Sequence, residues 1–258
     1  MKSLLLTLAL VTTTLGEDSK LLGTPRELQQ AGEPITQLPA SLPAQIDPEK
    51  LTEAGFTKLF NGKDLTGWRK TGGTAEYEVK DGAIRGFGKN VKGNTFLRTE
   101  DEFGNFIFTF QFKFLDKNGN SGCMFRALHK EPTKKDPGGR VHGYQCEHDN
   151  FKTPQRGWTA GIYDEARRGW LYPTKAEDDK NKGPFTEQGN RLFQWDDWNT
   201  IVIKCEDNHL QTWLNGELRA DFTDTDEKHT TLKGFLALQV HGGKSGDILW
   251  KNLYLKEL

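Results

Sequence analysis

The stretch FIFTFQFKF (Phe106–Phe114) alternates five phenylalanines with one isoleucine, one threonine, one glutamine and one lysine. Because successive side chains of a strand point to opposite faces, this period of two places all five aromatic rings on one face. A strand with one strongly apolar face must bury it against a second layer. The stretch therefore predicts one strand of a two-layer β-structure.

Short segments further along the chain repeat this extended pattern and end at turn residues. The stretch LQTWLNGELRADF contains Asn215-Gly216 between two extended arms. Asn-Gly is the strongest hairpin signal, because both turn residues must adopt positive φ. Many short strands with turns between them predict an all-β fold, a two-sheet antiparallel jelly-roll sandwich. The other predicted strands are Trp198–Glu206, Gly234–Val240 and Asp247–Leu255.

The first 54 residues differ from the rest of the chain. Lys2, an apolar run at Leu4–Val11 and small or polar residues up to Gly16 predict a signal peptide over 1–16 and a periplasmic or secreted protein. The run is too short to span a bilayer. Residues 17–54 are rich in proline and predict a linker or N-terminal arm, with a short helix around Pro48–Ala54. The jelly-roll domain is then expected over 55–258.

Composition narrows the class of partner. The 258 residues carry a formal net charge of -1, and charges of both signs are interspersed. Without a basic block, neither nucleic acid nor an anionic membrane is an expected partner. The 11% aromatic content, which includes seven tryptophans, fits a saccharide partner, because pyranose rings stack on aromatic rings. The sequence does not indicate an oligomeric state.

Two neighbouring stretches carry the first set of candidate site residues, NSGCMFR (Asn120–Arg126) and GYQCEHDN (Gly143–Asn150). Strand alternation places Gln145, Glu147 and Asp149 on one face, where charged groups fit an open groove better than a core. Arg126 is expected to join them from the adjacent strand. The structural alternative is an Arg126–Glu147 ion pair that only ties two strands together.

A second set lies in LQVHGG (Leu238–Gly243), where Gln239 and His241 share a face. Histidine is the usual proton carrier near neutral pH, although a histidine near a strand end is often structural. No cofactor is predicted. Glu147, Asp149, His148 and His241 would allow a divalent metal, but no metal-binding spacing supports one.

A third set lies in residues 151–194, which contain few period-two runs and predict a long loop insertion. A long ordered insertion in a compact domain is usually functional, often as a lid or binding loop. On the alternative interpretation, the insertion is a surface loop whose charged residues form salt bridges with one another. The substrate-binding candidates here are Trp158, Tyr163, Asp164, Arg168 and Trp170.

Several motifs together resemble one known family, the 3-keto-disaccharide hydrolase domain family. They are GFTKLFNGKDLTGW (Gly55–Trp68), DGAIRG (Asp81–Gly86), NSGCMFR, GYQCEHDN, LQVHGG and the terminal WKNLYLKEL (Trp250–Leu258). The resemblance spans residues 55–258 and implies a concanavalin A-like fold. It also implies cleavage of glycosides that carry a ketone at carbon 3.

The implied chemistry needs a base for the acidified hydrogen on carbon 2, an acid for the leaving group and positive charge near the developing oxyanion. By matching position we expect Glu147 or His241 as the base, Arg126 as the oxyanion or substrate clamp and Asp149 as an orienting carboxylate. A non-catalytic carbohydrate-binding module and a retaining glycosidase using Glu147 and Asp149 are the alternatives.

Overall fold

The computed structural model describes residues 47–117, 119–134, 139–149 and 156–258. The predicted signal peptide (1–16), residues 17–46 of the predicted arm and residues 150–155 of the predicted site and insertion lie outside the described residues. In the described part, two antiparallel sheets pack face to face, which confirms the predicted two-sheet jelly roll. No helix there is long and apolar enough to cross a membrane.

The larger sheet contains eight strands within the described residues, in the order β13-β12-β11-β6-β15-β4-β3 with β1 beside β15. Strands are numbered in chain order. Those of the larger sheet are β1 (Thr57–Lys58), β3 (Glu76–Lys80), β4 (Ala83–Val91), β6 (Phe106–Phe114), β11 (Asn199–Glu206), β12 (His209–Leu214), β13 (Glu217–Thr223) and β15 (Gly243–Glu257).

The smaller sheet contains seven strands in the same part of the chain, in the order β10-β9-β8-β7-β14-β5-β2. Its members are β2 (Trp68–Gly72), β5 (Thr95–Thr99), β7 (Asn120–Lys130), β8 (Arg140–Asp149), β9 (Ile162–Glu165), β10 (Gly169–Tyr172) and β14 (Phe235–Val240). The helices are α1 (Pro48–Glu53) and α2 (Pro184–Leu192).

The core lies between the two sheets and is dominated by aromatic rings. The five phenylalanines of β6 point into it and are all buried, as their alternation predicts. The β12–β13 hairpin turns at Asn215 (φ 49°) and Gly216 (φ 93°), which confirms the Asn-Gly turn. Because side chains alternate regularly along the central strands, those that do not enter this core lie on the outer faces of the two sheets.

The predicted short helix is present as α1, and Asp47 caps it by accepting from the backbone N–H groups of Glu49 and Lys50. Leu51 packs with Ile107 and Trp213 on the outer face of the larger sheet. This end of the predicted arm is therefore docked on the domain, because an apolar helix face and an apolar sheet face cover each other.

The predicted loop insertion contains regular structure in its described part, because β9, β10 and α2 all lie within it. Strands β9 and β10 extend the smaller sheet beyond β8. Period-two hydrophobicity does not reveal β9, because Asp164 occupies a buried position that an apolar residue usually takes. The insertion thus forms one side of the sheet that carries the candidate site.

Candidate active site

Strand β8 presents two different faces. Tyr144 and Cys146 point into the core between the sheets, whereas Gln145 and Glu147 point to the outer face of the smaller sheet. This separation confirms the predicted alternation. Polar side chains thus line part of the outer face, where two neighbouring strands, β7 and β9, also contribute residues.

A cavity of about 200 Å³ lies on this face. Six of the predicted site residues line it, three more residues complete it, and they come from β7, β8, β9, β10, β14 and the adjoining segments. The predicted ones are Gln145, Glu147, Tyr163, Trp170, Gln239 and His241, and the additional ones are Asn120, Arg156 and Glu165. The lining is rich in hydrogen-bonding groups, which suits a polyhydroxylated ligand.

Glu147 is the central acidic group of the cavity. Its carboxylate accepts hydrogen bonds from Asn120 Nδ2 at 2.8 Å, from Gln145 Nε2 at 2.9 Å and from Arg156 Nη2. Only 3% of the residue is exposed. Burial raises the pKa of Glu147 to about 7, although the positive charge of Arg156 opposes this shift. A carboxylate with such a pKa can accept and release a proton near neutral pH.

Arg156 is the functional candidate that the sequence analysis missed. It binds Glu147 through Nη2 and donates from Nε to Asp149 Oδ2 at 2.8 Å. Its guanidinium carbon lies 5.1 Å from the ring centroid of Trp170 and 5.4 Å from that of Trp158. One guanidinium therefore joins both carboxylates of β8 to the aromatic side of the cavity. The sequence contained one indication of this role, because Arg156 directly precedes Gly157 and Trp158 in the predicted insertion.

Asp149 lies behind Arg156 and is 3% exposed, and it is not among the residues that line the cavity. Burial raises the pKa of Asp149, and the charge of Arg156 opposes the shift. The Asp149 backbone N–H also donates to Thr159 Oγ1 at 3.1 Å. This geometry suits a carboxylate that orients Arg156, and it keeps Asp149 away from a ligand in the cavity.

A chain of amides reaches Glu147 across the sheet. Gln239 donates from Nε2 to Gln145 Oε1 at 2.8 Å, and Gln145 donates from Nε2 to Glu147 Oε2 at 2.9 Å. Both glutamines are buried. The chain fixes the orientation of the Gln145 amide, and that amide in turn fixes the position of the carboxylate.

Three aromatic residues of the predicted insertion lie together at one side of the cavity. The Trp170 ring makes edge contacts with Trp158 at a centroid distance of 4.5 Å and with Tyr163 at 5.2 Å. Trp158 does not line the cavity. Its Nε1 donates to Asp178 Oδ2 at 2.7 Å, which holds the indole against Trp170. Among the described residues, Trp170 and Tyr163 are therefore the aromatic groups that line the cavity.

The structure places Arg126 outside this site, so the prediction that it shares the groove is wrong. A β-bulge between Phe125 and Leu128 interrupts the pairing of β7 with β8, and Arg126 has a φ of 47°. A bulge breaks strand alternation and redirects the side chain. Arg126 is fully buried, with Nε donating to Gly104 O and Nη2 to Asn105 Oδ1, each at 2.8 Å. Its predicted alternative pairing with Glu147 is also absent, since Arg156 takes that position.

Asp164 and Arg168 also lie away from the cavity, contrary to their prediction as substrate-binding residues. Alternation along β9 sends Tyr163 to the cavity and Asp164 to the opposite face, where Asp164 is fully buried. There Arg168 binds Asp164 through Nε and Asp224 through Nη2, the latter at 2.7 Å. These residues form a buried ion-pair network that anchors the insertion.

His148 points into the core, where its ring stacks on Phe112 at a centroid distance of 4.2 Å. Burial lowers the pKa of His148 to about 4, so the ring is neutral near pH 7. The metal-ligand set considered from the sequence, which included His148 with Glu147, Asp149 and His241, is therefore not brought together. Within the described ranges, no group of three or more His, Cys, Asp or Glu side chains is arranged to hold a metal ion.

Residues 55–256 match the family model described as the 3-keto-alpha-glucoside-1,2-lyase-like domain. The chain belongs to this family. Every residue that lines the cavity lies within the matched range. No curated protein sequence matches the chain.

Solved structures show the same fold at low sequence identity. A candidate glycosyl hydrolase from Parabacteroides distasonis ATCC 8503 is 21% identical with a TM-score of 0.52, over 83% of this chain and 99% of that chain. A second candidate glycosyl hydrolase from the same organism is 19% identical with a TM-score of 0.50, over 79% and 99% of the two chains. These similarities establish the architecture of this 3-keto-alpha-glucoside-1,2-lyase-like domain, and its chemistry has to be argued from the cavity.

Proposed function

We propose that the protein cleaves the glycosidic bond of 3-keto-glycosides, with Glu147 as the base that removes the proton from carbon 2. The observation that carries this proposal is the buried Glu147 carboxylate, which lines a polar cavity and has a pKa raised to about 7. A general base is most effective when its pKa lies near the working pH. Membership of the family supports 3-keto-glycosides as the proposed substrate class.

The reaction follows from the acidity of the substrate. A ketone at carbon 3 acidifies the hydrogen on carbon 2, and the base takes that proton to leave an enediolate. The electron pair then forms a double bond between carbons 1 and 2 and restores the ketone, while the bond from carbon 1 to the glycosidic oxygen breaks. Water adding to carbon 1, with a proton returning to carbon 2, gives net hydrolysis. Without that addition, the unsaturated ketone is the product.

Arg156 takes the role that the sequence analysis gave to Arg126. Its guanidinium binds Glu147 inside the cavity and is held from behind by Asp149. A positive charge in a site of low exposure stabilises the negative charge that develops on the oxygen at carbon 3. The same charge keeps a fraction of Glu147 ionised, because opposite charges favour the ionised form.

His241 is the proposed acid for the leaving oxygen. Its ring lines the cavity, and Nδ1 lies 2.7 Å from Gly242 O, so Nδ1 donates to that carbonyl. This leaves Nε2 as the ring nitrogen available for proton transfer to the substrate. Glu147 and His241 then divide the two proton transfers, one at carbon 2 and one at the glycosidic oxygen.

The test compares methyl 3-keto-α-glucoside with methyl α-glucoside under the same conditions. We expect cleavage of the ketone alone, and we expect Glu147→Gln to lower the rate by about 100-fold or more. Substrate carrying deuterium at carbon 2 should lose it to solvent with the wild-type protein. Glu187→Gln, on the exposed surface of α2, serves as the matched control. Full activity of Glu147→Gln with an intact melting transition would remove Glu147 from the mechanism.

The same experiment distinguishes the two alternatives. Binding of both glycosides without turnover would indicate a carbohydrate-binding module, and cleavage of the unoxidised parent would indicate a retaining glycosidase. A retaining enzyme needs two carboxyl groups that flank the scissile bond. Here Glu147 and Asp149 share one guanidinium, and Asp149 does not line the cavity. This arrangement does not suit a retaining enzyme that uses Glu147 and Asp149 as its pair of carboxyl groups.

We also propose that the protein is exported, on the basis of the charged, apolar and small-residue pattern in residues 1–16. Mass spectrometry of the protein from a bacterial host should then show a mature N-terminus near residue 17 and a periplasmic or secreted location. An intact Met1 on protein retained in the cytoplasm would contradict this proposal.

A further inference from the structure

Arg219 on β13 is a buried cation that does not line the cavity of the candidate active site. Only 3% of the residue is exposed, and burial lowers the pKa of Arg219 to about 9. A buried charge is costly unless its partners compensate for the lost water. Nε donates to Thr159 O at 3.2 Å, and Nη2 donates to Gly157 O at 2.8 Å. Nη1 donates to Phe185 O and Gln188 Oε1 on α2, each at 2.8 Å.

The segment that Arg219 binds directly follows Arg156, the residue that holds both carboxylates of β8. Gly157 is the next residue in the chain, and Thr186 Oγ1 on α2 donates to Arg156 O at 2.8 Å. Thr159 Oγ1 donates to Asp149 O at 3.0 Å. Arg219 and α2 therefore hold the backbone on the C-terminal side of Arg156, and through Thr159 they also contact the end of β8.

Close packing of Gly157 on α2 leaves this segment little room to move. Gly157 has a φ of 63°, a conformation that favours glycine. A Cβ there would lie 2.5 Å from Asn190 Oδ1 and 2.7 Å from Thr186 O. Likewise, a Cβ at Gly189 of α2 would overlap Gly157 O. Because the two backbones touch, a displacement of either one would move the other.

We propose that Arg219 is a positioning residue for Arg156. By fixing the backbone that follows Arg156, it holds that guanidinium against Glu147. This inference rests on the proposed function, because that function gives Arg156 and Glu147 their roles. An arginine that only anchored the insertion to β13 would leave the contact between Arg156 and Glu147 unchanged.

The ionisation of Glu147 reports whether Arg156 is in place. The charge of Arg156 lowers the pKa of Glu147 against the effect of burial, so a displaced Arg156 leaves Glu147 with a higher pKa. The variants described below leave the other titratable groups around this carboxylate unchanged. Those groups are Asp149, Tyr163, Glu165 and His241.

The test follows the Glu147 carboxyl carbon by NMR in protein labelled with carbon-13 glutamate, and Glu147→Gln identifies its signal. The wild-type signal should titrate with a midpoint of about 7. Arg219→Met should raise this midpoint by about half a pH unit or more. It should also lower kcat/KM on methyl 3-keto-α-glucoside by about tenfold or more, since small displacements in an active site have effects of this size.

Arg191→Met is the matched control for the loss of an arginine between α2 and β13. Arg191 on α2 is exposed and pairs with Glu217 on β13 through Nη1 and Nη2, at 2.7 Å each. It thus joins the same two elements as Arg219 does. The control variant should change neither the midpoint nor kcat/KM.

A double variant separates positioning from a direct effect of the Arg219 charge. If Arg219 acts through Arg156, then Arg219→Met should add nothing to Arg156→Ala, and the double variant should titrate like Arg156→Ala alone. A direct effect of the charge does not need Arg156. A further upward shift in the double variant would therefore overturn the proposal.

Thr186→Val takes the place of Arg219→Met if the latter does not fold. It keeps the net charge and nearly the same side-chain shape, but it removes the hydroxyl group that donates to Arg156 O. The midpoint of Glu147 should again move upward. An unchanged midpoint in whichever of the two variants is used would overturn the inference.

The NMR titration needs no turnover, so its result is independent of the proposed function. A raised midpoint in a protein that cleaves neither glycoside would support the positioning role and contradict the reaction. Cleavage of the 3-keto-glycoside, with the same midpoint in Arg219→Met as in the wild-type protein, would leave the reaction standing and overturn the positioning role.

Discussion

Gln239 on β14 donates a hydrogen bond to Gln145 on β8, with 2.8 Å between Nε2 and Oε1. Strand β7 lies between these two strands, so the bond passes over a neighbouring backbone. It can do so because Gly122 of β7 has no side chain there. A Cβ at Gly122 would lie 2.5 Å from both Cγ and Cδ of Gln145. The position of the Glu147 carboxylate therefore depends on a glycine of the strand that lies between β8 and β14.

Gly122→Ala tests this dependence. The added methyl group must displace Gln145, and the hydrogen bond from Gln145 Nε2 to Glu147 would be lost with it. We expect kcat/KM on a 3-keto-glycoside to fall by about 10- to 100-fold, since small displacements of a catalytic group have effects of this size. The control is Gly104→Ala, whose Cβ would meet only Leu232 O at 3.7 Å. Equal rates for the two variants would contradict the prediction.

The pH dependence of the reaction should report Glu147. As the base, Glu147 works in its ionised form, and its pKa is raised to about 7. With 4-nitrophenyl 3-keto-α-glucoside, whose leaving group needs no proton from His241, activity of the wild-type protein is therefore expected to rise between pH 5 and pH 8 with a midpoint of about 7, and to be low where Glu147 is protonated. Initial rates in constant-ionic-strength buffers provide the measurement. A flat profile over this interval would show that another group accepts the proton.

Arg156→Ala should move that midpoint upward. The arginine charge favours ionised Glu147, so its removal raises the pKa further and shifts the rise in activity to higher pH. The rate at the plateau should also fall, by about 100- to 1,000-fold if Arg156 stabilises the oxyanion. Arg191→Ala is the control, because Arg191 forms an exposed ion pair with Glu217. An unshifted midpoint in Arg156→Ala would exclude electrostatic control of Glu147 by this residue.

Strand alternation was sufficient to predict three of the nine residues that line the cavity. Gln145, Glu147 and Gln239 lie in regular stretches of β8 and β14, where successive side chains keep to opposite faces. The same rule assigns His148 to the core. These predictions need only the local backbone geometry of each strand. The aromatic face of β6 predicts the core that the apolar faces of the other strands pack against.

The remaining residues depend on features that alternation does not contain. The bulge in β7 turns Arg126 away, and no residue type in NSGCMFR marks that bulge. Arg156 lies outside β8 and binds both of its carboxylates, and strand alternation does not predict such a contact. Asp164 occupies a buried position only because Arg167 and Arg168 pair with it. The sequence shows which residues are charged, but tertiary contacts determine which of them form ion pairs.

The role of His241 as an acid predicts a dependence on the leaving group. A methoxide leaving group needs a proton, whereas a nitrophenolate leaves readily without one. His241→Ala should therefore slow methyl 3-keto-α-glucoside far more than 4-nitrophenyl 3-keto-α-glucoside. Glu147→Gln should slow both alike, because each substrate must lose the proton on carbon 2. Equal losses for the two substrates in His241→Ala would show that His241 does not protonate the leaving oxygen.

Arg126 should contribute to stability and not to catalysis. Its guanidinium is fully buried and satisfies the Gly104 carbonyl, the Asn105 side chain and the Asp207 carbonyl. Arg126→Met leaves these acceptors without a donor, and unsatisfied buried groups are costly. We expect the free energy of unfolding to fall by about 2–4 kcal/mol, measured by urea denaturation.

The kinetic part of this prediction separates a structural arginine from a substrate clamp. Arg126 donates to groups in the loop before β6 and in the β11–β12 turn, and it is absent from the cavity lining. The folded fraction of Arg126→Met should therefore keep the KM and kcat of the wild-type protein at a temperature well below its melting transition. Arg69→Met, at an exposed position of β2, controls for loss of a guanidinium. A raised KM in Arg126→Met at full folding would return Arg126 to the site, because a residue that only supports the fold has no contact through which to weaken substrate binding.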